Sequence, residues 1–358
     1  MPRYLCVAVS TVASFAICAT ARAAGSEPAP FPPSSISAEW IGPRFQSGAD
    51  QTGDILPISW STAGTFAMVN DGSVDGRSGR NVFAKVLGSP PNLRFQLVGR
   101  PDQLQGHIYS NGFTAVDGVF YATEVRIWHW WTDSSFRGLW GIAYSLDHGR
   151  SWQFPDRAFP WWAGNTNFVQ EGEESPNADG RIYAIANNRE FNAGHIWLGQ
   201  TYPGPANVTN PRHWHWRARP IVSWPEHITY PRMTYDPQIG RYLLSFSYSY
   251  YDTIPQIWKG GSQLVVLEAP QPWGPFQLLF QQSDWGPSNG YGGTFPIPWQ
   301  GKLTKDSAGN GYTQDLWMEW AANYTGCEPG LECTGKYGMN MQELKLTIPA
   351  STLSESSG

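Results

Sequence analysis

Two aspartates in the first quarter of the chain have the residue type and spacing for acid–base chemistry. Asp54 stands before an alternating apolar stretch, and Asp71 ends a second such stretch that follows a tight turn. If the two stretches are neighbouring antiparallel strands, these ends come together. Two carboxyl groups placed in this way can act as acid and base, or as acid and nucleophile, across a glycosidic bond. The alternative is that Asp71, within Asn70-Asp71-Gly72, is an ordinary turn residue.

Further polar and aromatic side chains are expected to face the same hollow and to bind a substrate. Glu171 offers a third carboxylate, although the acidic run 171–174 is also consistent with a solvated loop. Arg232 is expected either to hold a hydroxyl or carboxylate of the substrate or to neutralise Asp236 or another acid near the axis. The full set of expected substrate-binding residues is Trp60, His107, Asn111, Gln170, Glu171, Tyr230 and Arg232.

Aromatic residues make up 15% of the chain, with 19 Trp. A sugar ring can stack its C–H face on an aromatic plane, so exposed aromatic rings near strand ends favour a carbohydrate ligand. Most of the Trp residues are nevertheless expected to fill the interior of a wide β-structure.

A repeated unit predicts the fold that has to position these residues. A turn with glycine leads into an alternating strand at Gly64, Gly118, Gly180 and Gly240, and more loosely at Asp315. Further short strands flank each copy, so each unit holds about four strands. Five such units arranged radially make a five-bladed β-propeller, an all-β fold, with a two-sheet sandwich as the alternative. The alternating segment 341–348 is expected to pair with 39–45 and to close the ring.

The segment Ser145-Leu-Asp147-His-Gly149-Arg-Ser151-Trp152 resembles the Asp-box of sialidases and other propellers. Its Ser and Asp are expected to hydrogen-bond to their own backbone, and its Gly to adopt positive φ. This role is structural, so Asp147 is not expected to take part in catalysis.

The N-terminal residues predict export, and the composition of the two termini sets the expected domain bounds. A basic start, an apolar run and Ala21-Arg22-Ala23 are typical of a signal peptide over residues 1–23. Residues 24–36 are rich in Pro and Ser and are expected to form a linker. A single propeller domain is expected over 37–350, with a disordered tail at 351–358. The protein is therefore expected to be secreted, either extracellular or periplasmic.

The charge of the chain bears on its binding partners, and its cysteine and histidine residues bear on disulfides and metal sites. The net charge is −5 and charged residues make up 15% of the chain, which argues against nucleic acid or a membrane as the main partner. A polysaccharide or oligosaccharide partner and a monomeric state are expected instead.

Cys327 and Cys333 are expected to form a disulfide, with metal binding as the alternative. His213 and His215 are expected to be a surface pair, so no metal or cofactor is expected, although the sequence does not address a structural Ca²⁺.

Part of the sequence resembles a bacterial and fungal family of endo-D-arabinanases, formerly a domain of unknown function. The resemblance is carried by 54–60 with 66–72, by 235–244 and by 268–276. It implies a five-bladed propeller that hydrolyses furanoside links, with Asp54 and Asp71 as the acids. One departure is that Ser61-Thr62-Ala63-Gly64 stands where the family pattern has Ala-Asp-Asp-Gly, and another is Asn70 in place of Gly.

These observations predict a glycoside hydrolase and leave three alternatives. A carbohydrate-binding propeller without catalysis would share the fold and the aromatic residues. A polysaccharide lyase would use Tyr230, His107 and Arg232 to abstract a proton beside a uronate. An interaction scaffold would bind a protein across the central funnel.

Overall fold

The computed structural model describes residues 27–46, 51–54, 56–99, 108–126, 139–155, 157, 159–160, 163, 165–174, 179–187, 193–248, 251–252, 257–258, 262–285, 290–307, 309–322 and 338–354. In this part of the chain almost every regular element is an antiparallel strand. None of its helices is long and apolar enough to cross a membrane. The predicted signal peptide, His107, Cys327 and Cys333 lie outside the described residues.

The first blade shows how the innermost strand of each sheet is built. After β1 (Ser37–Gln46), it holds β2 (Gln51–Asp54), β3 (Ile58–Ser61), β4 (Gly64–Val74), β5 (Arg77–Ser89) and β6 (Asn92–Leu97). Both β2 and β3 pair with β4, which is followed by β5 and then β6. Asp75 and Gly76, with φ of 50° and 70°, form the tight turn between β4 and β5, as hairpin turns of this length require. Together, β2 and β3 form the innermost strand.

The next two blades repeat this order. The second holds β7 (Ile108–Tyr109), β8 (Phe113–Val116), β9 (Val119–Arg126) and β10 (Leu139–Ser145); the third holds β11 (Asn165–Phe168), β12 (Ile182–Asn187), β13 (Ala193–Thr201), the helix α1 (Pro205–Val208) and β14 (His215–Trp216). In the second blade β7 and β8 are innermost and both pair with β9. In the third, β11 is innermost and β14 is the outer edge.

The last two blades complete the ring. The fourth holds β15 (Val222–Asp236), β16 (Arg241–Tyr248), the hairpin β17 (Tyr251–Asp252) and β18 (Ile257–Trp258), β19 (Ser262–Ala269) and β20 (Gln277–Trp285); the fifth holds β21 (Gly290–Thr294), β22 (Thr304–Lys305), β23 (Gly311–Ala322) and β24 (Gly338–Pro349), before the helix α2 (Ala350–Ser354). The start of β15 also pairs with β13, so blades three and four share one sheet.

The N-terminal strand closes the ring. β1 pairs with β24, with Glu39 opposite Lys345 and Phe45 opposite Met341. This confirms the predicted pairing of 39–45 with 341–348. The innermost strands contact one another in cyclic order, from β3 to β8, β11, β15 and β21, and β2 contacts β23 and β24. The predicted fold, an all-β five-bladed propeller, is confirmed.

Apolar clusters fill the spaces between neighbouring blades. Between the first and second blades, for example, the rings of Phe66 and Phe83 stack at 5.5 Å, and Trp152 meets Phe83 edge-on at 5.4 Å. The space between blades four and five holds Trp285 and Trp320, whose ring centroids are 5.1 Å apart. Burial of these large rings stabilises the contact between separate sheets. Blades three and four are joined in addition by the backbone pairing of β13 with β15.

Both ends of the described chain pack on the propeller. The Ser34 amide donates to the Leu278 carbonyl at 2.9 Å, and the Ala29 amide donates to Gln281 Oε1 at 3.0 Å. Residues 27–36, within the segment predicted to be a linker, therefore lie along β20. Thr352, within the segment predicted to be a disordered tail, is buried in α2 and its carbonyl accepts from Arg241. Composition alone does not predict that these terminal segments pack on the propeller, because the packing depends on strands that are distant in the sequence.

Candidate active site at the upper mouth of the propeller

The innermost strands all run in the same direction along the axis, which gives the propeller two different mouths. A parallel bridge between Gln170 and Thr234 shows this for blades three and four. We call the end where innermost strands begin, with Asp54 and Ser110, the upper mouth. The lower mouth holds the turns that follow these strands, such as Asp117-Gly118.

Asp54 and Asp71 lie at the upper mouth on adjacent strands. The backbone of Asp54 pairs with Asn70, and Asp71 follows directly with φ of 42° and an exposed side chain. The strands cross so closely that a Cβ at Gly72 would overlap the Thr52 carbonyl oxygen. This register brings the two aspartates to one edge of the hub, in an open depression next to Asp71 that is lined by Thr52, Asp71, Gly72, Ser78 and Gly79.

Asn70 joins this edge to the second blade. Its Nδ2 donates to the Ser110 carbonyl at 2.8 Å, and its Oδ1 accepts from the Ser110 amide at 3.1 Å. Asn70 is fully buried. The Asn70 side-chain amide therefore both donates and accepts a hydrogen bond, and it joins β4 to the start of the innermost strand of blade two, at the level of Asp54.

Bulges at the upper mouth interrupt three innermost strands. The registers shift between Thr52 and Asp54 in blade one, at Tyr230 (φ 45°) in blade four, and at Gly292 (φ 65°) in blade five. A bulge bends its strand and re-aims the side chains beside it, which is why bulges concentrate at barrel rims and next to functional sites. The upper mouth is thus the irregular end of the hub in the described residues.

Arg232 and Glu319 lie in the interior of the hub below this mouth. Arg232 is 5% exposed, and its Nη1 donates to the Asn111 carbonyl and to Asn167 Oδ1. Burial lowers the pKa of Arg232 to about 10, while the carboxyl of Glu319 acts in the opposite sense. Burial raises the pKa of Glu319 well above its usual range, and Arg232 partly offsets this. The predicted substrate ligand Arg232 therefore bonds to protein groups of blades two and three and faces an acid of blade five.

Two further predicted substrate-binding residues are interior groups. Asn111 is 5% exposed and accepts from Arg232 through its carbonyl. Tyr230 is 2% exposed, and its ring lies 5.4 Å from that of Tyr291. Both lie near the upper mouth, where they help to shape its floor.

The structure separates Trp60, Gln170 and Glu171 from the two aspartates. The Trp60 carbonyl accepts from the Glu174 amide at 3.2 Å, beside the lower turn of the first blade. Gln170 lines the narrow central cavity, where its Nε2 donates to the Phe113 carbonyl at 2.7 Å. These residues belong to the lower mouth or to the channel between the mouths.

Glu171 has an unusual environment at the lower mouth. Tyr242 donates its hydroxyl to Glu171 Oε1 at 2.9 Å. Burial raises the pKa of Glu171 to about 8, and the charge of Asp179 adds to the effect. This carboxyl is therefore largely protonated at neutral pH, although it is distant from Asp54 and Asp71.

Comparisons with known proteins concern the fold alone. No protein-family profile matches the sequence, and no curated protein matches it. The chain is similar to an α-L-arabinofuranosidase from Podospora anserina (12% identity, 89% of this chain and 99% of that chain, TM-score 0.49). It is also similar to an endo-1,5-α-L-arabinanase from Thermotoga petrophila (12%, 83% and 72%, TM-score 0.44) and to an N-acetylgalactosamine deacetylase from F. plautii (8%, 91% and 99%, TM-score 0.46). The propeller assignment itself rests on the strand pairing.

The turn after β10 has the bonds expected from its residues. Ser145 Oγ donates to Asp147 Oδ1 at 2.8 Å, and Asp147 accepts from the Ser151 amide at 2.8 Å and from the Ser151 hydroxyl. These bonds outweigh the burial of Asp147 and lower its pKa. Gly149 has φ of 84° and lies against the Phe83 ring. The turn therefore packs blade two on blade one and takes no part in the upper mouth.

Sequence reasoning missed Asn167 and Glu319 as hub residues. Each is a polar residue within a buried strand, in Asn165-Thr-Asn-Phe168 and Leu316-Trp-Met-Glu-Trp320. For Glu319, a lone carboxylate between large apolar residues is the signal that could have found it, since such groups are buried only with partners. Asn167 stands beside Thr166 and near Asn165, so the sequence around it carries no such signal. No cluster of three or more His, Cys, Asp or Glu that could hold a metal is present among the described residues.

Proposed function

We propose that this chain is a secreted glycoside hydrolase that cleaves a polysaccharide, with Asp54 and Asp71 as its two carboxyl groups. The single observation that carries the proposal is the register of β2 on β4, which brings both aspartates to one edge of the upper mouth. Glycosidic cleavage requires two carboxyl groups at one site, and two aspartates whose backbones meet at one rim of a central hollow can supply them. The bulged innermost strands add support, because bulges mark functional rims.

In the proposed mechanism one carboxyl group protonates the leaving oxygen of the glycosidic bond. The other either activates a water molecule or attacks the anomeric carbon. Thr52 and Ser78, which line the depression beside Asp71, are placed to hydrogen-bond substrate hydroxyls. Arg232 and Glu319 fix the floor beneath without touching the reacting atoms.

The finer proposal is that the substrate has furanoside links of the arabinan type, as the sequence resemblance implies. The missing turn acids at 61–64 do not weigh against it. Ser61 and Gly64 pair at the lower end of the β3–β4 hairpin. Asp71 lies seven residues further along β4, roughly 20 Å at the rise of an extended strand. Loss of those acids therefore leaves the upper pair in place.

The lyase alternative is less compatible with the arrangement. Tyr230, which would abstract the proton beside the uronate carboxylate, and Arg232, which would neutralise that carboxylate, are both interior residues. An enzyme that uses the exposed Asp71 needs neither of them at the reacting bond.

A substrate screen tests the proposal. The secreted protein and its Asp54→Asn/Asp71→Asn variant should be incubated with arabinans, galactans, pectins and uronate polymers, with reducing ends and unsaturated ends measured in parallel. We expect reducing ends from an arabinose-containing polymer with the native protein only. Unsaturated ends would indicate a lyase, binding without cleavage a lectin-like propeller, and turnover by the double variant would refute the assigned pair.

A further inference from the structure

The outer edge of the third blade concentrates positive charge. The segment 211–220 contains Arg212, His213, His215, Arg217 and Arg219 and has no acidic residue. All five of these side chains are exposed. The chain as a whole carries a net charge of −5, so this cluster contrasts in sign with the rest of the protein.

Strand register places the cluster on one face of the blade. Tyr183 of β12 pairs with Gln200 of β13, which pairs with His215 of β14. Residues opposite one another in a ladder share a face, and so do residues two apart along a strand. His215 and Arg217 therefore lie on the same face as Tyr183, toward the fourth blade.

Two exposed aromatic rings border the arginines of this region. Trp273, in the turn between β19 and β20, is 39% exposed and lies with its ring 4.6 Å from the Arg217 guanidinium. Tyr202, at the end of β13, is 56% exposed and lies 5.4 Å from the Arg181 guanidinium. The ring centroids of Tyr183 and Trp273 are 6.5 Å apart, which links the two sides. We call Arg181, Tyr202, His215, Arg217 and Trp273 the basic patch.

The cations of the patch keep most of their charge available. Arg181 has Asp179 at 3.7 Å, at a position where both side chains are at least one-third exposed. For Arg217 of the patch, and for Arg212 and Arg219 beside it in the sequence, no carboxylate lies within salt-bridge distance in the described part of the chain. Solvent-exposed arginines with at most a weak, exposed carboxylate partner are suited to an external anion.

We propose that the basic patch binds an anionic polysaccharide, one that carries carboxylate groups, at a site separate from the upper mouth. Arg181 and Arg217 pair with the carboxylates, and the rings of Tyr202 and Trp273 receive the apolar faces of the sugar units. Arginine matches carboxylate geometry through its planar fork of donors. The patch lies at the lower, outer corner of blade three, because Arg181 follows the lower turn at Gly180.

Charge complementarity favours a uronate chain over a nucleic acid or a membrane. A protein that binds nucleic acid stably neutralises many backbone phosphates at once with Lys and Arg side chains. This patch offers few cations, and the protein as a whole is negatively charged. Widely spaced carboxylates on a sugar chain need fewer cations and use the exposed rings. Long substrates that contain uronate blocks would thereby be held on the protein while the upper mouth acts elsewhere on the same chain.

Binding to polygalacturonate tests the inference. The dissociation constant should be measured at low and high salt for the native protein and for Arg181→Gln/Arg217→Gln, with linear arabinan as the uncharged probe. We expect polygalacturonate to bind more tightly at low salt, and the double variant to weaken that binding at least tenfold. Trp273→Ala should weaken it as well, with turnover of a short neutral oligosaccharide unchanged.

Matched controls separate this site from the upper mouth. Arg94→Gln removes an exposed arginine from β6 on the outer edge of the first blade and should leave the affinity unchanged. Asp54→Asn/Asp71→Asn should also leave it unchanged, so failure of the hydrolase proposal would not affect this result. The inference is overturned if the native protein does not bind polygalacturonate, if the arginine variant binds normally, or if DNA or anionic lipid vesicles bind as tightly.

Discussion

The backbone of Asp54 pairs with that of Asn70 across β2 and β4, and Asp71 follows Asn70 directly. Asn70 itself is bonded to Ser110 of the second blade. One short ladder thus sets the relative backbone position of the two aspartates and ties them to the neighbouring blade. The following predictions depend on that geometry and on the buried groups beneath it.

Gly72→Ala should disrupt the upper mouth, because the new methyl group would overlap the Thr52 carbonyl oxygen. Overpacking at such a backbone crossing costs about 3 kcal/mol of unfolding free energy, and the displaced β2 should lower activity as well. Chemical denaturation and hydrolysis assays measure both effects. Gly180→Ala is the control, since its Cβ would meet nothing within 4 Å and only its φ of 74° is unfavourable. Equal stability of the two variants would contradict the close crossing.

Arg232 and Glu319 should be energetically coupled. Arg232→Met removes two buried hydrogen bonds and leaves Glu319 without its positive neighbour, at a cost of about 3–5 kcal/mol. With Glu319→Gln already in place, the same loss should cost about 1–2 kcal/mol less. A double-mutant cycle of unfolding free energies measures this difference. The exposed Arg94→Met is the control and should change stability little; additive effects of the two hub substitutions would show that the charges do not interact.

Glu171 should make stability depend on pH. Its folded pKa of about 8 lies above the ordinary value of 4.5, so the folded state holds the proton more tightly than the unfolded chain. The resulting stabilisation is complete below the ordinary pKa and is lost as the pH rises through about 8. Glu171→Gln should therefore flatten the decline in unfolding free energy between about pH 5 and about pH 9.

The neighbouring Glu173 provides the control for this titration. It is exposed, so Glu173→Gln should leave the pH profile of the native protein intact. If the unfolding free energy of Glu171→Gln declines with pH as steeply as that of the native protein, another group is responsible for the pH dependence.

The sequence predicted the five-bladed ring correctly, but it did not predict where along the propeller axis each site residue lies. Alternation and turn residues define strands, and the match of 341–348 to 39–45 closed the ring correctly. Trp60 and Glu171 were expected to face the same hollow as Asp54, and strand length places them at its other end. The interior position of Arg232 follows from the bulge at Tyr230, which breaks the two-residue alternation on which sequence reasoning depends.

The most direct measurement is kcat/KM for Asp71→Asn beside Asp117→Asn on an arabinose-containing polymer. Both aspartates have positive φ, of 42° and 50°, and exposed side chains, but Asp71 lies at the upper mouth and Asp117 in a lower turn. Asparagine tolerates this backbone conformation, so both variants should fold. We predict that Asp71→Asn loses at least about a hundredfold in kcat/KM, as removal of a general acid or base does, while Asp117→Asn matches the native enzyme. Equal activity of the two variants would contradict the assignment of Asp71 to catalysis.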